Sequence, residues 1–164
     1  MGLPPDILMM RLKNEIALCE RHLPHDVSVL NDEIPLEIDI QLRGIEGACI
    51  EDGRVSSRSE HSVRIVIGEE YPFEKPRVSW MTPIFHPNIM MPEDGGHVCI
   101  KLLDGWGFDS TLLSFIKGVE YLVSNPNPLS PFGTESCTMA AEYYNRSGRT
   151  LRPMATRPAP RIVR

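Results

Sequence analysis

Apolar residues recur every three or four positions from Leu8 through Leu12, Ile16 and Cys19 to Leu23. That spacing keeps one face of a helix apolar and predicts a helix over about residues 5–23. Pro4 and Pro5, ahead of Asp6, suit its first turn, and Pro24 ends it. A period of two then takes over. Ile34, Leu36, Ile38, Ile40 and Leu42 alternate with Glu37, Asp39 and Gln41, the pattern of a half-buried antiparallel strand. Gly44 and Gly47 are expected to form a turn, with a second strand over residues 47–51 that takes in Cys49. Val63, Ile65 and Ile67 repeat the alternation in a third strand, and Val78 to Met81 reads as a short fourth bounded by prolines. The longer period returns at Thr111. Leu112, Leu113, Phe115, Ile116, Val119, Leu122 and Val123 share one broad face until Asn125-Pro126 stops the helix. A further helix from about Thr134 to Tyr144 takes Thr134 as its N-cap.

Strands therefore precede the later helices, which makes the fold class α+β rather than alternating β-α units. Between strand and helix lies an irregular stretch from 82 to 110, punctuated by Pro83, Pro87, Pro92, Gly95, Gly96, Gly105 and Gly107. A loop of that length inside a compact domain points to function.

Composition sharpens this picture in two places. The 164 residues carry a net charge of −5, which excludes a general nucleic-acid binder held by excess positive charge. That total hides an asymmetry. Residues 149–164 hold five arginines, three prolines and no acid, so the body 1–148 stands at −10 against +5. The expectation is a folded domain over 1–148 and a basic Arg/Pro-rich disordered tail over 149–164. No apolar run approaches the ~20 residues that cross a bilayer, so no membrane span is expected. The start of the chain has no basic segment followed by an apolar one, so no secretory signal is expected and the reading is cytoplasmic.

The four cysteines, Cys19, Cys49, Cys99 and Cys137, form no Cys-x-x-Cys pair, so neither a zinc knuckle nor a redox motif is supported and free thiols are expected. Cys99 alone lies in the irregular stretch, within Gly96-His97-Val98-Cys99-Ile100. A thiol on a scaffolded loop suits a nucleophile, which must meet its substrate. The alternative is an apolar anchor between Val98 and Ile100.

The surrounding residues carry a resemblance. Tyr71-Pro72-Phe73-Glu74-Lys75-Pro76 resembles the YPF-x-x-P segment of ubiquitin-conjugating enzymes, and His86-Pro87-Asn88 their HPN motif. Gly96, Val98-Cys99, Leu102-Leu103 and Trp106 follow in that family's order, and Asn125 to Phe132 is similar to its PNP-x-x-P-L segment. The resemblance implies an N-terminal helix, a four-stranded antiparallel meander and C-terminal helices packed on one face, the element order read above from periodicity.

It also implies an activity. The family takes ubiquitin or a ubiquitin-like modifier from an activating enzyme onto a cysteine as a thioester, then passes it to a substrate lysine, usually with a RING-type ligase bound. No metal or cofactor is implied, since ATP is used by the activating enzyme. Cys99 is then the nucleophile. Asn88 braces the active-site loop or donates an N–H to the tetrahedral oxyanion, where such a donor contributes on the order of 3 kcal/mol. His86 is expected to fix the loop by hydrogen bonding, and Pro87 to set its turn. Ser130 stands where the family has Asp or Ser at the lysine entrance; a serine orients the amine but is a poor base. Positioning and desolvation would then lower the lysine pKa. Phe73, with the first helix and the loop after Trp106, implies the surface for ligases and the activating enzyme.

The chain also departs from the family pattern. His86 and Cys99 are three residues further apart than usual, the excess falling in 90–95, a loop that tolerates length. Lys101 stands where relatives often carry Asp; it reads first as a solvent-facing lysine, the alternatives being a cation that favours the thiolate or a site of self-modification. Gly107-Phe108-Asp109 replaces Ser-Pro-Ala, so the ligase surface differs, with Phe108 as a candidate anchor. Two other readings compete. One is a non-catalytic variant of the same fold that binds a modifier or partner. The other is a cysteine hydrolase pairing Cys99 with His86 or His97.

Overall fold

The computed structural model describes residues 2–101 and 104–146. Leu102-Leu103, the domain boundary expected at 148/149 and the basic tail lie outside the described residues. Helix α1 spans Pro5–His22, with Asp6 in its first turn and Arg21 and His22 in its last, charges that suit the helix dipole. Its expected stripe of Leu8, Leu12, Ile16, Cys19 and Leu23 is buried throughout.

Strands β1 (Asp26–Val29), β2 (Leu36–Glu51), β3 (Arg54–Ile67) and β4 (Arg77–Trp80) form one antiparallel meander in that order. Leu36, Ile38, Ile40 and Leu42 of β2 and Val63, Ile65 and Ile67 of β3 bury the inner face. The outer face is polar. There Asp39 lies directly opposite Arg64 in register, and the carboxylate accepts from Nε at 2.8 Å and from Nη2 at 3.0 Å. Such a facing pair adds roughly 0.2–1 kcal/mol.

The reading of the sheet is corrected at four points. Strand β1 was not foreseen, because its alternation, Asp26-Val27-Ser28-Val29, runs for only four residues on the sheet edge, three of them exposed. The predicted strands over 34–42 and 47–51 are one, β2, which starts at Leu36. Gly44 and Gly47 do not turn the chain but absorb a bulge, seen as a register shift between Arg43 and Gly47. The real turn is Asp52-Gly53, both with positive φ (51° and 75°), the geometry of a two-residue hairpin. The fourth strand ends at Trp80, one residue before the predicted Met81.

Helix α2 (Leu112–Ser124) starts in a capping box. The Ser114 amide donates to Thr111 Oγ1 at 3.1 Å, and the Thr111 amide to Ser114 Oγ at 3.0 Å. Its apolar face joins α1 and the inner face of the sheet in one core. Helix α3 (Glu135–Arg146) has the expected cap, with the Cys137 amide donating to Thr134 Oγ1 at 3.1 Å. Ala140 packs with Ala48 and Phe85 in a smaller cluster rimmed by Tyr143 and Tyr144. Among the described residues no helix is long and apolar enough to cross a membrane.

The described part of the segment after β4 is largely irregular, and a short 3-10 turn, Pro92–Asp94, falls in the region of extra length. Gly95 and Gly96 follow at φ 111° and 66° and fold the chain back against β4. The Trp80 amide donates to the Gly96 carbonyl at 2.8 Å, and His97 bridges Ser79. A Cβ on Gly96 would lie 2.6 Å from the Trp80 carbonyl oxygen, so both its dihedral and its surroundings demand glycine. Gly96→Ala is expected to cost about 2 kcal/mol, lowering the melting temperature by ~6 °C. An unchanged melting curve would contradict this packing.

Candidate active site

The HPN segment forms a tight turn. His86 and Ile89 bridge each other, with Pro87 and Asn88 between them. Ile89 then pairs with Val98, which sets Cys99 opposite Asn88, and the Cys99 amide donates to the Asn88 carbonyl at 2.9 Å. Pro87 is buried, as a turn-setting residue would be, and its carbonyl accepts from the Phe132 amide at 3.0 Å.

Asn88 is only 3% exposed and all its side-chain capacity goes to the 125–131 loop. Oδ1 accepts from the Asn127 amide at 2.7 Å, while Nδ2 donates to the Asn127 carbonyl at 3.1 Å and the Ser130 carbonyl at 3.2 Å. Both amide hydrogens are thus engaged. This is the brace expected of Asn88; donation to an oxyanion would require one of these bonds to be exchanged. Through Asn88 the structure brings Cys99 and Ser130 into one network, with Ser130 exposed.

His86 is fully buried and works at the base of this turn. Its Nε2–H donates to the Leu122 carbonyl at 2.9 Å, and Nδ1 accepts from the Asn88 amide at 3.0 Å. Burial is the main reason its pKa falls from 6.5 to about 4, outweighing the backbone carbonyls that favour the cation. The ring is therefore neutral and both nitrogens are committed, which fits loop fixing and not base catalysis.

The four thiols are all free and separate cleanly. Cys19, Cys49 and Cys137 are buried, and burial raises each pKa, Cys19 to about 12 with help from Glu15 and Glu20. Cys99 alone is half-buried. Lys101, two residues on, is exposed, and its carbonyl accepts from the Asp104 amide at 2.9 Å. A cleft of about 710 Å³ between β4 and this segment is lined by Arg77, Val98 and Ile100 among others. Among the described residues no group of three His, Cys, Asp or Glu is arranged to hold a metal ion.

Phe73 and Phe108 are brought together, Phe73 lining the same cleft as Val98 and Ile100. The two phenylalanines are 49% and 53% exposed, with ring centroids 5.3 Å apart, so the replacement residue Phe108 pairs with the Phe of the YPF segment. Sequence reasoning missed what lies beneath them. Glu15, 6% exposed on α1, accepts from Arg11 Nε at 2.6 Å, from the Tyr71 hydroxyl at 2.5 Å and from the Leu112 amide at 2.8 Å. Arg11 Nη2 donates onward to the Phe108 carbonyl at 3.2 Å and the Ser110 carbonyl at 3.1 Å. The available signal was a Glu beside Ile16, on the buried stripe, with an Arg four residues before it.

A half-exposed thiol on a braced loop, carried by a helix, a four-stranded meander and two further helices, defines a class of domain. The ubiquitin-conjugating enzyme family model matches residues 11–152. The chain belongs to that family. Ubiquitin-conjugating enzyme E2 T of Xenopus laevis is 28% identical over 144 residues, 84% of this chain and 69% of the relative. The human E2 T is 26% identical over 126 residues, 74% of this chain and 60% of the relative. A probable ubiquitin-conjugating enzyme E2 L460 of Acanthamoeba polyphaga mimivirus is 34% identical over 85 residues, half of either chain (51% and 50%). The chain thus spans between half and about two-thirds of these relatives' lengths. Among solved structures, S. cerevisiae Ubc12 superposes with a TM-score of 0.66 at 24% identity, covering 88% of this chain and 75% of that one. The E2 domain of a Toxoplasma gondii ubiquitin conjugating enzyme gives 0.66 at 21% identity, covering 90% and 93%. These two likenesses show the fold.

The His86 environment makes stability depend on pH. The unfolded chain protonates this ring below about 6.5, whereas the folded one resists until about 4. Its contribution is therefore complete above pH 6.5 and is lost as pH falls toward 4. Between pH 7 and 5 the wild type should lose roughly 2 kcal/mol of unfolding free energy that His86→Asn does not lose. Parallel curves from denaturant titrations of the two proteins would show that the ring is solvated.

Proposed function

We propose that this protein conjugates ubiquitin or a ubiquitin-like modifier through a thioester on Cys99. The observation that carries the reading is that the residue bearing the half-buried thiol donates its backbone amide to the Asn88 carbonyl, and the Asn88 side chain braces the loop bearing Ser130. The Cys99 thiolate attacks the modifier's activated C-terminal carbonyl, the activating enzyme departs, and a thioester forms. A substrate lysine then attacks that carbonyl as the free amine. Its proton passes to solvent, and the Cys99 thiolate leaves as the isopeptide bond forms. Thiolates suit both steps, attacking well and leaving well.

Ser130 orients the incoming amine at the edge of this loop, and desolvation there favours the neutral amine. Lys101 supplies positive charge two residues from the nucleophile. Phe73 and Phe108 form the contact surface for the activating enzyme and a RING-type ligase. The reaction runs without a metal or cofactor of its own, in the cytoplasm, where thiols stay reduced.

Incubation with an activating enzyme, ATP and candidate modifiers should give a thiol-sensitive adduct that Cys99→Ala abolishes. No adduct with any of them would favour a modifier-binding module instead, and ATP-independent cleavage of modifier conjugates would favour a hydrolase.

Asn88→Ala should charge normally yet discharge to lysine about 10²-fold more slowly, since the loop loses its brace and the amine its position. The backbone bond to Cys99 survives that substitution, which is why charging is spared. Normal discharge would remove Asn88 from the transfer step.

A further inference from the structure

The two exposed phenylalanines sit on separate loops, and neither loop is regular structure. Phe73 lies in the turn after Tyr71, and Phe108 in a tight turn closed by the Ser110 amide donating to the Gly107 carbonyl at 2.9 Å. Side chains on such loops ordinarily wander, and ordering them on binding costs affinity. Here one ion pair, a buried Glu15 with a partly buried Arg11, holds both. Glu15 takes the Tyr71 hydroxyl, two residues from Phe73, and the Leu112 amide at the start of α2. Arg11, fixed by Glu15, clasps the carbonyls of Phe108 and Ser110. Its guanidinium also lies 5.2 Å from the centroid of Phe108 and 5.7 Å from that of Tyr71. Trp106 Nε1 closes the frame by donating to the Pro72 carbonyl at 2.6 Å.

We infer that Arg11 and Glu15 are positioning residues that preassemble the Phe73–Phe108 pair as one rigid surface for a RING-type partner. The inference rests on the reading of that pair as the ligase surface. Arg11 works as a fork. It uses Nε for Glu15 and Nη2 for two carbonyls, a set of bonds that a lysine ammonium, a single point charge, cannot span. The stacking of Phe108 on Phe73 follows from where the carbonyls of Phe108 and Ser110 are held.

The test uses Arg11→Lys, which keeps a cation beside the buried Glu15 and so avoids the unfolding expected when a buried charge loses its partner. The probe is an isolated RING domain chosen because it stimulates discharge of the charged wild-type enzyme. Arg11→Lys should raise the RING concentration for half-maximal stimulation about tenfold, with the rate at saturation kept within twofold. The nuclear Overhauser contacts between the Phe73 and Phe108 rings should weaken. Combined with Phe108→Ala, the effect should be strongly non-additive, because Arg11 acts through Phe108. An unchanged half-maximal concentration for Arg11→Lys, or additive losses in the double variant, would overturn the positioning role while leaving the surface in place. If Phe73→Ala and Phe108→Ala themselves leave the RING dependence untouched, the surface reading falls and this inference with it.

Discussion

A buried carboxamide has to find partners for its oxygen and both its hydrogens, and Asn88 meets that demand only by tying the 125–131 loop to the HPN turn. The thiol depends on this. Cys99 is placed by pairing with the backbone of the same residue, so its position relative to Ser130 passes through one side chain. An unsatisfied polar group in that setting costs roughly 1–3 kcal/mol, enough to make the alternative loop conformations rare. His86 extends the brace to α2 by linking the Asn88 amide to the Leu122 carbonyl. The loop bearing Cys99, the loop bearing Ser130 and α2 therefore form one unit.

The same device recurs at the other end of the irregular segment, with a charge in place of an amide. A buried carboxylate paired with a partly buried guanidinium gains little net stability over an apolar packing of the same volume, because desolvation offsets the attraction. What Glu15 and Arg11 supply is geometry. Between them they take hydrogen bonds from or give them to α1, the Tyr71 turn, the Gly107–Ser110 turn and the first residue of α2. Two irregular segments acquire fixed positions without any regular structure of their own.

The parts read correctly from the sequence are those that local periodicity governs. The stripe on α1, the alternation in β2 and β3, the apolar face of α2 and the cap of α3 each depend on residues within a few positions of one another. The parts missed depend on partners far along the chain. Strand β1 is fixed by pairing with β2, its own alternation being only four residues long. The bulge at Gly44 looked like a turn because glycine permits both, and only pairing across to β3 decides between them. The Arg11–Phe108 contact spans 97 positions and leaves no trace in either local segment. The HPN turn was legible as a motif, but the assignment of Asn88 to the brace needed the carbonyls of Asn127 and Ser130 to be in place.

These facts bear on how the proposed reaction obtains its rate. The polar side chains nearest the turn, His86 and Asn88, are spent on structure: both imidazole nitrogens and both amide hydrogens are occupied. Ser130 is a poor base. In this scheme no side chain stands ready to strip a proton from the incoming amine. Acceleration must then come from holding a reactive thioester still beside a desolvated amine, and effective molarities of that kind supply up to ~7–11 kcal/mol. A stiff loop is what such a mechanism requires. The prolines at 72, 76, 87, 126, 128 and 131 and the exhausted hydrogen-bond capacity of Asn88 supply that stiffness, and the chemical freedom is left to Cys99.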